Sequence, residues 1–445
     1  MGRRRRRKAP PRGEFEAQVE SLGHDGRGIA HLEGKAVFLD GALPGERVLF
    51  EYTQTSRKYD DGRVTQVLQA SPDRVEPLCG SFMRCGGCSL QHLDAERQIA
   101  FKQQSMLEGL ARIGNVEPEE VLAPLRADIW GYRRKARLGV RYVPRKGRVL
   151  VGFREKRNSF ITDVTDCPVL DHRVGERLVD LGRLIHSMAA RSTIPQIEVA
   201  VTDEVVALVF RHLEPLSVED RQSLLRFGEE MGFAIFLQPG GPGSVVPLTE
   251  PAPALRYRHP AFDVSVAFSP MDFTQVNDAI NRSMVEQAVA LLDPGPDERV
   301  LDLFCGLGNF TLPLARRAAQ VTGVEVDAAM LARARANAEW NGIGNTAYFA
   351  ADLMSESLQF EPWIRQQWDK ILLDPPRSGA SEVIKHFGKM GARRVVYVSC
   401  HPGTLARDAG VLVHTHGYRL VQAGVMDMFP HTAHVESMAV FERSS

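Results

Sequence analysis

The stretch Val300–Phe310, VLDLFCGLGNF, restricts what this chain can fold into more than any other. Val300–Leu303 reads as a buried strand, Gly306 and Gly308 follow at once, and Phe310–Arg317 can run as a helix. A strand that breaks into a glycine turn and opens a helix brings backbone N–H groups close to a ligand. A second apolar strand, Val321–Val324, ends in Glu325, nineteen residues after Gly306. An acid at about that spacing is placed to hold the two hydroxyls of a ribose. The turn is Gly-x-Gly without a third glycine, so taken alone the segment also suits a turn that merely packs a helix on a sheet.

The residues downstream of Glu325 narrow the choice. Ala328–Asn341 has a helix pattern, and the short strand Ala347–Phe349 is followed by Asp352. Lys370–Leu373 is another apolar strand that runs into Asp374-Pro375-Pro376-Arg377, and Arg394–Val398 leads into Ser399-Cys400. Strands alternating with helices give a parallel, doubly wound sheet whose ligands sit beyond the carboxyl ends of the strands. Glu325, Asp352, Asp374 and Cys400 all fall at such ends, which reads as the rim of an active site. Upstream, Phe273–Asn277 precedes a helix and offers the Gln275 amide near the sheet edge. Near the C-terminal end, Glu436 interrupts the start of the apolar strand Val435–Phe441. A carboxylate there is costly unless paired or used; an acid facing the sheet edge is the plainer alternative.

The 445 residues suggest two or three domains, and 44% apolar with 25% charged residues is ordinary for a soluble globular protein. Nothing approaches an apolar run of about 18 residues, so no membrane span is expected. The N-terminus is too polar and basic for a secretory signal, and the expected location is cytoplasmic. The net charge is zero, so its distribution matters more. Residues 1–13 form a basic tail with Arg3–Arg7, Lys8 and Arg12, either a solvated, disordered segment or a nucleic-acid contact. Residues 14–71 carry short alternating runs between glycine and proline turns, the pattern of a small five-stranded β-barrel. Residues 72–268 read as a mixed α+β domain, with a helix at about 93–113 that could pack on either neighbour, and residues 269–445 complete the chain. Between Arg126 and Arg157, twelve Arg and Lys stand against Asp128 and Glu155, a net of +10, with Trp130, Tyr132, Tyr142 and Phe153 interleaved. Such a tract suits single-stranded RNA, where bases stack and phosphates pair, or else forms a solvated charged face.

Six cysteines are present, and a reducing compartment argues against disulfides. Cys79, Cys85 and Cys88 have five and then two residues between them, and Cys167 lies far downstream before Pro168. Three clustered thiolates and a distant one can encircle a [4Fe–4S] cluster or a tetrahedral zinc, or remain free thiols. A single CxxC pair favours iron–sulfur over zinc, and the spacing is not the Cx3Cx2C of radical enzymes. Cys305, inside the glycine turn, reads as packing.

Taken together, the Gly-x-Gly turn with Glu325, Asp374–Arg377, Ser399-Cys400 and Phe429-Pro430-His431-Thr432 followed by Glu436 resemble the RNA uracil-C5 methyltransferases that use S-adenosylmethionine. The resemblance covers essentially the whole chain. Gly26–Ala30 and Gly41–Glu46 resemble the TRAM domain, an OB-like RNA-binding module; a purely structural barrel is its alternative. With the four cysteines, Gly131–Leu138 and Asp166-Cys167-Pro168, the whole resembles family members that act on 23S rRNA. It implies an α/β class I, Rossmann-like methyltransferase domain preceded by a TRAM β-barrel and a mixed α+β iron–sulfur domain. It also implies methyl transfer to carbon 5 of a uridine through a covalent Cys–uracil adduct. Cys400 would be the nucleophile and Glu436 the general base. Gln275, Phe304, Asn309, Glu325, Asp352 and Asp374 would surround S-adenosylmethionine, although Asp352 stands where relatives vary. Cys79, Cys85, Cys88 and Cys167 would hold [4Fe–4S]. The implied partner is 23S rRNA, with no membrane and no protein partner required. The alternatives are a tRNA uracil-C5 methyltransferase, against which the barrel and cysteines argue, and an RNA-binding iron–sulfur assembly factor without catalysis. An amino-methyltransferase is a further rival, but Arg377 replaces the aromatic residue of its motif.

Overall fold

The computed structural model describes residues 10–443, so most of the expected basic tail lies outside the described residues. The chain divides into two compact units.

The first unit holds the described residues up to Phe101, with Phe153–Thr162 and Pro430–His434. Its strands are β1 (Phe15–Gln18), β2 (Ser21–Leu22), β3 (Gly28–Leu32), β4 (Lys35–Asp40), β5 (Arg47–Thr55) and β6 (Tyr59–Gln69), in the order β1-β5-β6-β4-β3-β2. There are six strands where five were expected, because the first run breaks after Gln18. The Val19 N–H turns to the Glu46 carbonyl and that of Glu20 to the Ile29 carbonyl, both at 2.8 Å. Register shifts along β5–β6 bend the sheet, and Ala17, Val19, Ala30, Val37, Leu39, Val48 and Phe50 fill its interior. The cysteine-bearing loop belongs to this unit: the Gly86 N–H donates to the Arg154 carbonyl and that of Lys156 to the Arg84 carbonyl. The amides of Ser89 and Leu90 both donate to the His431 carbonyl at 2.9 Å.

The second unit contains a six-stranded sheet and an eight-stranded one. The first sheet is built from β8 (Lys135–Val143), β9 (Arg148–Gly152), β10 (Gln196–Val201), β11 (Val206–Arg211), β12 (Phe233–Gln238) and β13 (Val246–Pro247), ordered β13-β12-β11-β10-β8-β9. The helices Leu178–Ser187 and Val218–Met231 accompany it, so this part is mixed α+β. A hairpin, β14 (Leu255–His259) and β15 (Val264–Phe268), follows. The eight-stranded sheet combines β16 (Arg299–Leu303), β17 (Gln320–Glu325), β18 (Thr346–Ala350), β19 (Lys370–Leu373), β20 (Arg394–Ser399), β21 (Tyr418–Met426) and β22 (Glu436–Arg443) with the short β7 (Glu120–Val121). Its order is β18-β17-β16-β19-β20-β22-β21-β7; the first five strands run parallel, and β22 inserts antiparallel between β20 and β21.

Three sequence expectations change in detail. The helix after the glycine turn is Thr311–Ala315, not Phe310–Arg317. Pro313 supplies no N–H, and Arg316 and Arg317 bond to carbonyls three residues back, which tightens and ends the helix. The helix Ala95–Gly109 continues as a wider turn, Leu110–Gly114, so close to the helix Pro402–His414 that a side chain on Gly114 would strike the Ala406 carbonyl. The basic tract is no open stripe. Arg134 pairs with Asp203 at 2.7 Å, Arg137 with Glu198, Lys146 and Arg148 with Asp163 at 2.6 Å, and Lys156 with Asp40 at 3.4 Å.

The barrel also depends on one buried charge. The Glu46 carboxylate, fully buried, accepts from the amides of Leu43 (2.8 Å) and Ser71 (3.1 Å) and from Arg74 Nε (2.6 Å) and Nη2 (2.8 Å). Burial raises its pKa, but the Arg74 and amide hydrogen bonds outweigh burial and hold it below the ordinary value. Arg74→Leu orphans this carboxylate, so hydrogen exchange of the barrel amides should report a loss of about 3 kcal/mol near neutral pH. A group with a depressed pKa contributes fully above its unfolded value and loses that contribution as pH falls through the folded one. The gap between wild type and variant should therefore shrink in acid; a gap independent of pH contradicts the assignment.

Candidate active site

Register places the candidate side chains. Leu303 stands opposite Val324 on one side and Leu373 on the other, and Leu373 opposite Tyr397. In a parallel sheet these strands end on the same edge, so Phe304, Glu325, Asp374 and, beyond Ser399, Cys400 emerge along one rim. β18 brings Ala350 beside Glu325, and Asp352 follows on an exposed turn where its side chain caps the Met354 amide at 2.9 Å.

The turn after β16 is built to leave backbone open. Phe304 takes φ 65°, unusual for a side chain with a Cβ, and Gly306 and Gly308 take φ 54° and 92°. The amides of Phe304 and Cys305 are fixed on the Val324 carbonyl at 2.9 and 3.1 Å. A Cβ on Gly306 would meet nothing within 4 Å, so a ligand has room to lie against the backbone there. The Glu325 carboxylate is held at this opening by the N–H groups of Gly306 (3.3 Å) and Val326 (2.8 Å). The Asn309 amide is locked in a reciprocal pair with Asn281 at 3.0 and 3.2 Å, and its Oδ1 also faces His259 Nε2 at 3.0 Å. Burial pushes His259 down to about 4, so at neutral pH the ring is uncharged and serves as a hydrogen-bond donor to Asn309. Gln275 lies half-buried just ahead of the helix Asp278–Leu292. Cys305 is buried against Gly323, whose missing side chain leaves room for its sulfur.

A second group of charges gathers around Cys400 and Glu436. β20 and β22 pair antiparallel with Ser399 opposite Ser437, so Cys400, one residue further, stands beside Glu436, the first residue of β22. Glu436 is 8% exposed. Burial first, and then the nearby Asp374, push its carboxyl well above the usual range, while Arg377 and Lys102 pull the other way. Burial likewise pushes the Cys400 thiol up to about 12, with Glu436 and Asp374 adding to it and Arg377 opposing. Asp374 itself is pushed up to about 7 by burial. Burial takes Asp302, on β16, to about 7 as well; the Thr311 hydroxyl opposes this, and Asp374 and Glu325 add to it.

Sequence reasoning passed over Lys102, His259 and Asn281. Lys102 is fully buried on the helix Ala95–Gly109, and its Nζ donates to Asp427 Oδ1 at 2.6 Å and to the Phe429 carbonyl at 2.8 Å. Nothing in AFKQQ distinguishes it from a solvated helical lysine. His259 and Asn281 sit outside every motif.

Cys79, Cys85 and Cys88 belong to the first unit and Cys167 to the second. Cys85 is buried, with its Sγ accepting the Gly87 N–H at 3.4 Å, and the Cys167 amide donates to the Gly175 carbonyl at 3.0 Å. Among the described residues no group of three or more His, Cys, Asp or Glu is arranged to hold a metal ion.

Comparison with known proteins gives this geometry a family. Residues 263–444 match the tRNA (Uracil-5-)-methyltransferase family model, and residues 11–65 match the TRAM domain. The 23S rRNA (uracil(1939)-C(5))-methyltransferase RlmD of Methylococcus capsulatus is 55% identical over 444 residues, covering 100% of both chains. The chain belongs to the RNA uracil-C5 methyltransferase family. A family member of the same name from Alkalilimnicola ehrlichii is 54% identical, again over 100% of both chains. Among solved structures, the Pyrococcus abyssi tRNA (uracil-54, C5)-methyltransferase in complex with S-adenosyl-L-homocysteine is similar with a TM-score of 0.72 and 25% identity, covering 96% of this chain and 100% of that one. The methyltransferase fold and the TRAM module expected from sequence are therefore both present. No helix of the described residues is long and apolar enough to cross a membrane.

The charge group makes a direct prediction. Arg377 is the cation that lowers the Cys400 thiol, so Arg377→Gln should slow alkylation of Cys400 by iodoacetamide about two- to fivefold at low ionic strength. Mass spectrometry of the Cys400 peptide measures this; an unchanged or faster rate would show that Arg377 does not act on the thiol.

Proposed function

We propose that this chain transfers a methyl group from S-adenosylmethionine to carbon 5 of a uridine in 23S rRNA, the reaction named for its RlmD relatives. The observation that carries the reading is the placement of Cys400 beside Glu436, on the rim that also holds the open glycine turn.

Carbon 5 of uracil is a weak nucleophile, and a covalent step can divide its methylation into easier parts. Cys400, as the thiolate, adds its sulfur to carbon 6, and the electron pair of the 5,6 double bond moves onto the ring as an enolate. S-adenosylmethionine, when bound, would supply an electrophilic methyl group on a positively charged sulfur. The enolate electrons would form the bond from carbon 5 to that methyl group, and the pair of the broken carbon–sulfur bond would stay on the donor sulfur, leaving it a neutral thioether. Glu436 then removes the proton from carbon 5, the double bond re-forms, and the Cys400 sulfur leaves with its electron pair. Glu325 is suited to the ribose hydroxyls. Gln275, Phe304, Asn309, Asp352 and Asp374 complete the cofactor site, with His259 and Asn281 holding Asn309 in one orientation. The target base must leave its stack to reach Cys400.

The finer reading of the cysteines is that Cys79, Cys85, Cys88 and Cys167 hold a [4Fe–4S] cluster. The donor set supports it: four thiols, three of them in one short glycine-rich loop, are the ligand chemistry of such a cluster. No catalytic step passes through it. Protein purified without oxygen should be brown with about four irons per chain; stoichiometric zinc without iron would reassign the site.

The family model is named for tRNA, and so is the Pyrococcus relative, which makes tRNA the rival substrate. Labelled S-adenosylmethionine should place label in 5-methyluridine of unmodified 23S rRNA and not of tRNA, as read by nucleoside analysis. Label in tRNA alone would keep the mechanism and overturn the substrate. Cys400→Ala should abolish turnover while RNA binding persists, and substantial remaining methylation would remove the covalent mechanism.

A further inference from the structure

We infer that Lys102 is a positioning residue for the proton-abstraction step, holding the segment that leads to Glu436 and easing the ionisation of that base at the stage when it is required. The inference rests on the proposed role of Glu436.

Lys102 has no exposed surface, and an ammonium is costly to bury unless paired. Its Nζ bonds the Asp427 carboxylate and the Phe429 carbonyl, both on the chain that leaves β21 after Met426. The Asp427 amide in turn donates to the Leu125 carbonyl at 2.9 Å. β21 pairs with β22, and Met426 stands directly opposite Glu436. The lysine therefore clamps the stretch next to the partner of Glu436.

Charge makes this more than a clamp. The groups that face Glu436 are Asp374 and Arg377 from the turn after β19, Cys400 from beyond β20, and Lys102 from the helix Ala95–Gly109, with Asp427 behind Lys102. Asp374 and Cys400 resist a second negative charge, Arg377 is exposed and screened by solvent, and Lys102 is the buried cation. A base buried this deeply needs such a cation to lose its proton near neutral pH.

The test follows release of the methylated adduct on unmodified 23S rRNA, using the iron-replete full chain, as covalent protein–RNA complex resolved on denaturing gels across a range of pH. Lys102→Gln keeps a hydrogen-bond donor and removes the charge. The midpoint of release should move up by about one pH unit, with adduct accumulating at neutral pH. Lys102→Arg should bring the midpoint back toward that of wild type even where its amplitude is lower. A midpoint unchanged in Lys102→Gln, with only the amplitude reduced, would overturn the charge role and leave packing. Should Lys102→Gln fail to fold, the double variant Lys102→Met with Asp427→Leu leaves no orphaned charge and must show the same upward shift; a wild-type midpoint there also overturns the proposal. Glu436→Gln separates the two ideas, since it must trap methylated adduct at every pH. Its failure to do so would remove the base itself, whatever the Lys102 variants show.

Discussion

The antiparallel pairing of β20 with β22 is the constraint on which the site depends. Parallel strands bring the Gly-x-Gly turn, Glu325 and Asp374 to one edge by topology alone, because each strand is followed by a crossover and ends on the same side. Glu436 is different. It begins a strand instead of ending one, and it reaches the rim only because β22 runs against β20, so that its amino end lies beside the carboxyl end carrying Cys400. A one-residue slip would turn Glu436 to the opposite face. Pairing on both sides, with β20 and β21, fixes the register, and the apolar run Met438–Phe441 is buried throughout.

That run explains why an acid can begin such a strand. Burying Glu436 carries a desolvation penalty, which the surrounding apolar burial offsets in the folded state. The same holds for Lys102 and Asp427, which enter the interior as a pair. The stability of the sheet is thus what permits a group of titratable side chains to sit where water would otherwise level their properties.

How much of this was legible in the sequence depends on the range of the interactions. The β16 turn, the alternation of strands and helices and the placement of Glu325, Asp352, Asp374 and Cys400 at strand ends all depend on local pattern, so periodicity and glycine spacing display them. The split of the first barrel strand depends on Glu46 and Ile29, residues distant in sequence, and no local pattern announces it. The basic tract between Arg126 and Arg157 shows the same limit from the other side. Its charge is obvious in one dimension, but its partners Asp203, Asp278 and Asp163 come from other segments, and only the fold reveals the neutralisation. Lys102 is the extreme case, since its meaning comes wholly from Asp427 and Phe429, more than three hundred positions away.

The mutual repulsion between Cys400 and Glu436 suits the order of the proposed reaction. Glu436 raises the Cys400 thiol, and coupling between two titrating groups acts in both directions. Before addition, the sulfur has to carry the negative charge, and a protonated Glu436 makes that easier. Once sulfur is bonded to carbon 6 its charge is gone, so the barrier to ionising Glu436 falls at the stage when a base is required. When Glu436 takes the proton from carbon 5 it becomes neutral again, and the departing thiolate meets less repulsion than it would beside a carboxylate. A rim with limited compensating charge therefore favours one anion at a time, first on sulfur, then on oxygen, then on sulfur. A richer supply of cations would ionise both groups together and lose that alternation, while none at all would leave the carboxyl protonated throughout.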